Sequence, residues 1–132
     1  MYKIKNINPI EIGIKKEYIN EELWSIAICY INRLLKEKTP YNKLNCISNA
    51  YKILNNCINF CEGDDNNSAG FDDIFPIFVY IIIKCRPINF ISNFYYIKSF
   101  INSHKMFDTY SFSLMQYEMA INFINNLKKE NI

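Results

Sequence analysis

An all-α fold is predicted from three observations. Apolar residues recur at three- and four-residue steps along successive segments, no segment sustains the two-residue alternation of a half-buried strand, and no Asn-Gly or Asp-Gly pair marks a hairpin. Half of the 132 residues are apolar, enough to bury one core, so residues 1–132 are expected to form a single layered domain of about five or six helices.

The elements follow in order. After a short extended opening, Trp24, Ala27, Ile31 and Leu34 share one helical face, with Glu21, Glu22, Asn32 and Lys36 turned outward. Thr39 offers an N-cap and Pro40 a first helical residue for a second helix, whose stripe runs Leu44, Ile47, Tyr51, Leu54, Ile58, Cys61. Residues 62–70 hold Gly63, Asp64, Asp65, Asn66, Asn67 and Ser68 without apolar periodicity, which predicts an acidic, solvated loop lacking the alternation of a calcium loop.

A third helix begins near Phe71, carries Asp72 and Asp73 in its first turn, where carboxylates suit the positive end of the helix dipole, and ends before Pro87. Pro76 is expected in that same first turn. Phe90, Phe94, Ile97 and Ile101 predict a fourth helix, followed by His104 and Lys105. For the last helix, Ser113 and Gln116 are spaced as a capping box, with Leu114, Tyr117, Ile121 and Ile124 as its apolar face and Ala120 small enough for a close crossing.

Composition excludes several functions. Fifteen basic against thirteen acidic residues leave a charge of +2 with no basic block, so nucleic acid is not an expected partner. Five cysteines are an odd number without a Cys-x-x-Cys pair, which fits the cytoplasm. Cys57 and Cys61 share a helical face, but no zinc ligand set accompanies them, and no metal or other cofactor is expected. The longest apolar run, Ile74 to Ile83, falls far short of the roughly 20 residues needed for a transmembrane helix. Asparagine occurs 19 times, so an isolated asparagine carries little weight as a signal.

Four ordered motifs carry a resemblance. Ile7-Asn8-Pro9 precedes the Trp24 helix, and Lys38-Thr39-Pro40-Tyr41-Asn42-Lys43-Leu44 runs into Cys46-Ile47. Gly70-Phe71-Asp72-Asp73-Ile74-Phe75-Pro76-Ile77 opens the third helix, and Ser92-Asn93-Phe94-Tyr95-Tyr96-Ile97-Lys98-Ser99-Phe100 forms the fourth. Tyr110-x-x-Ser113 stands before Glu118, Ala120 and Phe123-Ile124. Over residues 7–128 this series resembles the vacuolar-protein-sorting-nine (Vps-nine) domains, the catalytic domains of exchange factors for endosomal Rab GTPases. Phe71 stands where that family has alanine, Ser113 replaces a threonine, and the family's preceding helical bundle is missing, which suggests an excerpt of a larger protein.

The resemblance implies guanine nucleotide exchange on Rab-five-like GTPases, at the cytoplasmic face of endosomal membranes, without covalent chemistry. It makes Asp72 the catalytic acidic finger that opposes the phosphates and magnesium of the GTPase, with Asp73 supporting. Tyr110 and Ser113 would shape a switch-binding groove between the third and fifth helices. Pro76, Val79, Tyr80 and Ile83 form a second apolar face on the third helix, for the GTPase switch region or for the domain core. Simple helix stabilisation is the competing account of both aspartates, and capping that of Ser113. Lys38 and Lys43 read as solvated charges. A GTPase-binding module without exchange activity, and an unrelated helical scaffold, are the alternatives.

Overall fold

The computed structural model describes residues 8–62, 71–85, 89–103 and 108–130 of the chain, and among them no strand forms. Five helices follow one another: α1 (Glu21–Leu34), α2 (Pro40–Glu62), α3 (Phe71–Cys85), α4 (Phe90–Ser103) and α5 (Asp108–Glu130). The all-α expectation holds, and α2 packs against all four other helices, so its stripe forms the centre of the core. Leu44, Ile47, Leu54 and Ile58 have no solvent exposure, as the three- and four-residue spacing requires.

Among the described residues, the opening segment is not extended. Pro9–Ile12 and Lys16–Tyr18 are two 3-10 turns, and Asn8 caps the first by accepting from the Ile10 amide at 3.0 Å. Gly13 ends that turn at φ 98, a backbone conformation that a side chain would strain. Ile14 and Tyr18 are 3% exposed and pin this segment to the core. Such short turns leave no apolar periodicity for a sequence to show.

Helix α1 starts at Asn20, whose Oδ1 accepts from the Leu23 amide at 3.1 Å. In a chain with 19 asparagines this one does not stand out as a cap. Its predicted inner face, Trp24, Ala27, Ile31 and Leu34, is buried. Helix α2 starts as expected: Thr39 Oγ1 accepts from the Asn42 amide at 3.1 Å, and Pro40 occupies the first turn, where an N–H would lack a partner.

Lys43 corrects the reading of a solvated charge. It is 6% exposed, and its Nζ donates to the Leu34 carbonyl at 2.9 Å. That carbonyl belongs to the last turn of α1, where oxygens have no partner within the helix. One ammonium therefore closes α1 and fastens it to α2. Burial holds the Lys43 pKa below its ordinary range, with the neighbouring Cys46 and Glu37 opposing the shift.

Helix α5 begins at Asp108, five residues before the expected cap. Ser113 thus lies inside the helix and does not start it. The Ser113–Gln116 capping box is not formed, because both side chains turn inward, at 4% and 0% exposure. Tyr117 is fully buried between helices, stacked on Phe90 at 4.3 Å, and its hydroxyl donates to the Phe90 carbonyl, which ties α5 to the start of α4. His104, the 63–70 part of the acidic loop and the Cys61 side chain lie outside the described residues.

Candidate functional site

Helix α3 runs unbroken from Phe71 to Cys85, as the sequence predicts. Ile77, Phe78, Val79 and Ile81 are fully buried along it. At about 1.5–3 kcal/mol for each buried side chain, they anchor the helix far more strongly than the first-turn carboxylates, worth about 0.3–1 kcal/mol each. The fold therefore does not depend on Asp72, and that side chain is exposed.

The two aspartates have different surroundings. The Asp73 carboxylate lies 3.4 Å from Lys15 Nζ, in the segment between the two 3-10 turns, and Lys15 also sits 5.5 Å from the Tyr18 ring centre. No described cation pairs with Asp72. The first turn of α3 thus presents one carboxylate paired with a cation and one without a cation among the described residues. Pro76, half-buried, is the sixth residue of α3 and not part of its first turn. It lacks the N–H that would ordinarily donate to the Asp72 carbonyl.

The second apolar face of α3 belongs to the core. Val79, Tyr80 and Ile83 are 0%, 8% and 5% exposed, and the Tyr80 ring meets Trp24 of α1 at 5.4 Å. An α3 that is apolar all round packs against α1, α2 and α5, so for these three residues the contact with a partner gives way to the alternative expected beside it, burial in the domain core. The Tyr110 side chain lies outside the described residues.

Sequence reasoning missed an apolar stripe on α5. Phe112, Met115 and Met119 are 44%, 50% and 37% exposed, and their three- and four-residue steps put them on one face. One further turn along that face is Phe123, whose ring meets Phe75 at 6.0 Å, and Phe75 stands three residues after Asp72. The stripe thus leads along α5 to the helix turn that carries the free carboxylate. Its spacing is present in the sequence, but spacing alone does not say which side of α5 is covered.

At its other end the stripe borders a groove of about 280 Å³ between α2 and α5. Ile47, Tyr51 and Phe112 supply its apolar lining, and Ser113 forms part of its wall. Tyr51 meets Phe78 of α3 at 5.9 Å and Phe112 at 5.4 Å, which joins three helices at this point. No group of three or more metal-ligating side chains occurs among the described residues.

The profile of the Vacuolar sorting protein 9 (VPS9) domain matches residues 24–129. The chain belongs to the VPS9 domain family. It is 28% identical over 127 residues to Vacuolar protein sorting-associated protein 9A of Arabidopsis thaliana, covering 96% of this chain and 24% of that protein. It is likewise 28% identical over 125 residues to GTPase-activating protein and VPS9 domain-containing protein 1 of Xenopus laevis, covering 95% and 8% respectively. Receptor-mediated endocytosis protein 6 of Caenorhabditis elegans is 24% identical over 123 residues, 92% of this chain and 11% of that protein. The chain thus spans about a quarter or less of these relatives.

The VPS9 domain is thus the region that the chain shares with these relatives. Lys15 lies before the matched residues, so the segment that neutralises Asp73 is additional to the profile. Among the described residues, no single helix is long and apolar enough to cross a membrane.

Proposed function

We propose that this VPS9 domain releases GDP from Rab-five-like GTPases of endosomal membranes, with Asp72 as the acidic finger. The observation that carries the reading is the exposed Asp72 carboxylate, unpaired by any described cation, at the start of a helix whose remaining length is fixed in the core. A GTPase holds its nucleotide by charge contacts to phosphates and magnesium, and an anion brought there in a water-excluded contact opposes them. Asp73, compensated by Lys15, supports the turn and leaves the role to its neighbour.

The GTPase needs a surface to rest on while the acid acts. The Phe112–Met115–Met119 stripe is suited to that role, because a face of aromatic and methionine side chains follows an apolar partner loop closely. Pro76, four residues after Asp72 in the same helix, and Tyr110 are assigned to the partner contact in this reading. Accelerating release about ten-thousandfold requires roughly 5.5 kcal/mol, and a desolvated charge contact together with a displaced partner loop reaches that range.

The test is fluorescent GDP release from a panel of Rab GTPases with the wild-type protein and Asp72→Asn. Fast release from Rab-five-like members, lost in the variant, supports the proposal. Binding without release instead identifies a GTPase-binding module, and release unaffected by Asp72→Asn removes the acidic finger.

A further inference from the structure

Cys85 is the last residue of α3, and the packing of α3 on α1 brings it to the part of α1 that carries Cys29. The Trp24 and Tyr80 rings meet at 5.4 Å, and about one turn further along both helices the Cys85 thiol donates to the Ile28 carbonyl at 3.9 Å. Helices α1 and α3 therefore run side by side in the same direction here, and Cys29 directly follows that carbonyl. A planar peptide puts a carbonyl oxygen about 2.8 Å from the next Cα, so the Cys85 Sγ lies within about 7 Å of the Cys29 Cα. Rotation of both side chains, with Cys85 at a helix end that can shift, brings the sulfurs to the bonded distance of about 2 Å.

The thiols differ in access. Cys29 is exposed and Cys85 half-buried, whereas Cys46 and Cys57 are buried. Burial pushes the Cys85 thiol up to about 12, and Cys29 adds to that shift, as a second sulfur close by does. A dissolved oxidant thus meets Cys29 first, and Cys85 is the slower thiol waiting beside it.

We propose that Cys29 and Cys85 form an oxidation site, at which a hydroperoxide converts the two thiols to a disulfide that joins α1 to the end of α3. The Cys29 sulfur attacks the O–O bond. An S–O bond forms, the O–O bond breaks and, with hydrogen peroxide, the leaving oxygen takes the thiol proton and departs as water. The Cys85 sulfur then attacks the Cys29 sulfenic acid: the S–S bond forms, the S–O bond breaks, and the hydroxyl leaves with the Cys85 proton as a second water. The two thiols together give up two electrons, and the peroxide accepts both. In a reducing compartment such a bridge is transient, because thiol reductants reverse it. While it lasts, it closes a long loop that contains all of α2 and so restricts the unfolded chain. The bridge lies at the opposite end of α3 from Asp72, and the inference does not depend on the exchange reading.

Peptide mapping by mass spectrometry tests the site on the whole chain, treated with hydrogen peroxide and then alkylated without reduction. A Cys29–Cys85 linked peptide is expected, absent from Cys29→Ser and from Cys85→Ser and removed by dithiothreitol. The oxidised wild-type protein should also melt several degrees above the reduced one, a rise that Cys29→Ser does not show. Cys29 recovered as sulfinic or sulfonic acid, joined to a second chain, or bridged to a cysteine other than Cys85 overturns the proposal, and so does a thiol count unchanged by peroxide. Cys29 is exposed, so Cys29→Ser folds and the comparison stands even where Cys85→Ser does not.

Discussion

Lys15 Nζ stands 3.4 Å from the Asp73 carboxylate, and no cation among the described residues pairs with the adjoining Asp72. Two acids adjacent in sequence thus differ in electrostatic state because one faces the N-terminal segment and the other faces outward. An exposed ion pair of this kind is worth about 0–1 kcal/mol, too little to hold the fold but enough to mark which carboxylate is available.

Asp72→Asn is therefore expected to lower GDP release at least about a hundredfold, with the melting temperature within about two degrees of wild type. Asp73→Asn and Lys15→Ala should each change the rate by less than about fivefold. Stopped-flow release alongside thermal melts decides it. Equal losses from both aspartates would assign the effect to the turn as a whole.

The stripe on α5 gives a second expectation. Met115→Lys, at a half-exposed position, should reduce kcat/KM about tenfold while leaving helix content and melting temperature unaltered. Titration of the GTPase under exchange conditions measures it, and a wild-type value would remove the stripe from the interface.

Tyr80→Ala tests the correction made on α3. With Tyr80 8% exposed and packed on Trp24, truncation should cost about 3 kcal/mol in urea denaturation. Any loss of exchange should follow the unfolded fraction and vanish at low temperature, where the folded form is restored. A stable variant with lost exchange would instead return Tyr80 to the partner surface.

Lys43→Met keeps the aliphatic stem and deletes the charged donor to the Leu34 carbonyl. The loss should be about 1.5–3 kcal/mol, the range for hydrogen bonds from charged groups, and is read from the urea midpoint. Unchanged stability would show that desolvating the ammonium offsets the bond.

Alkaline pH should destabilise the domain. Burial pushes the Cys85 thiol up from 9.0 to about 12, with Cys29 adding to it, and pushes the Tyr51 hydroxyl from 10.0 to about 12. Both are neutral in the folded state over a range where the unfolded chain ionises. Their contribution is complete below pH 9 and is lost as pH rises towards 12, with about 1.4 kcal/mol per pH unit and group as a ceiling. Lys43 acts with opposite sign, since its lowered pKa favours the folded state as pH approaches 10.5. Cys85→Ala should flatten the fall in urea midpoint between pH 9 and 10. An equal slope in the variant would show that the thiol does not contribute.

Where periodic burial directs the chain, the sequence was sufficient. Residues 24–34 and 40–58 and the boundaries of α3 follow from apolar spacing and from Thr39-Pro40. What escaped was set by tertiary neighbours: Lys43 is buried because the α1 terminus lies over it, and Ser113 is inside α5 because the helix extends back to Asp108. For the site, the Asp72 position could be read from the motif, whereas Val79, Tyr80 and Ile83 could not be assigned, since apolarity does not say whether a face meets the core or a partner. The stripe of Phe112, Met115 and Met119 is recognisable only once the other side of α5 is known to be covered.

Pro76 gives the first turn of α3 a mechanical property. Without its N–H, the Asp72 carbonyl is not held by the fourth residue onward, while Ile77, Phe78 and Ile81 immobilise everything beyond. The turn bearing the carboxylate is thus more compliant than the helix behind it, and local opening there costs less than anywhere further along. An acid mounted on a yielding tip with a rigid base can follow a partner's phosphate site as it rearranges, while the recoil is borne by the core.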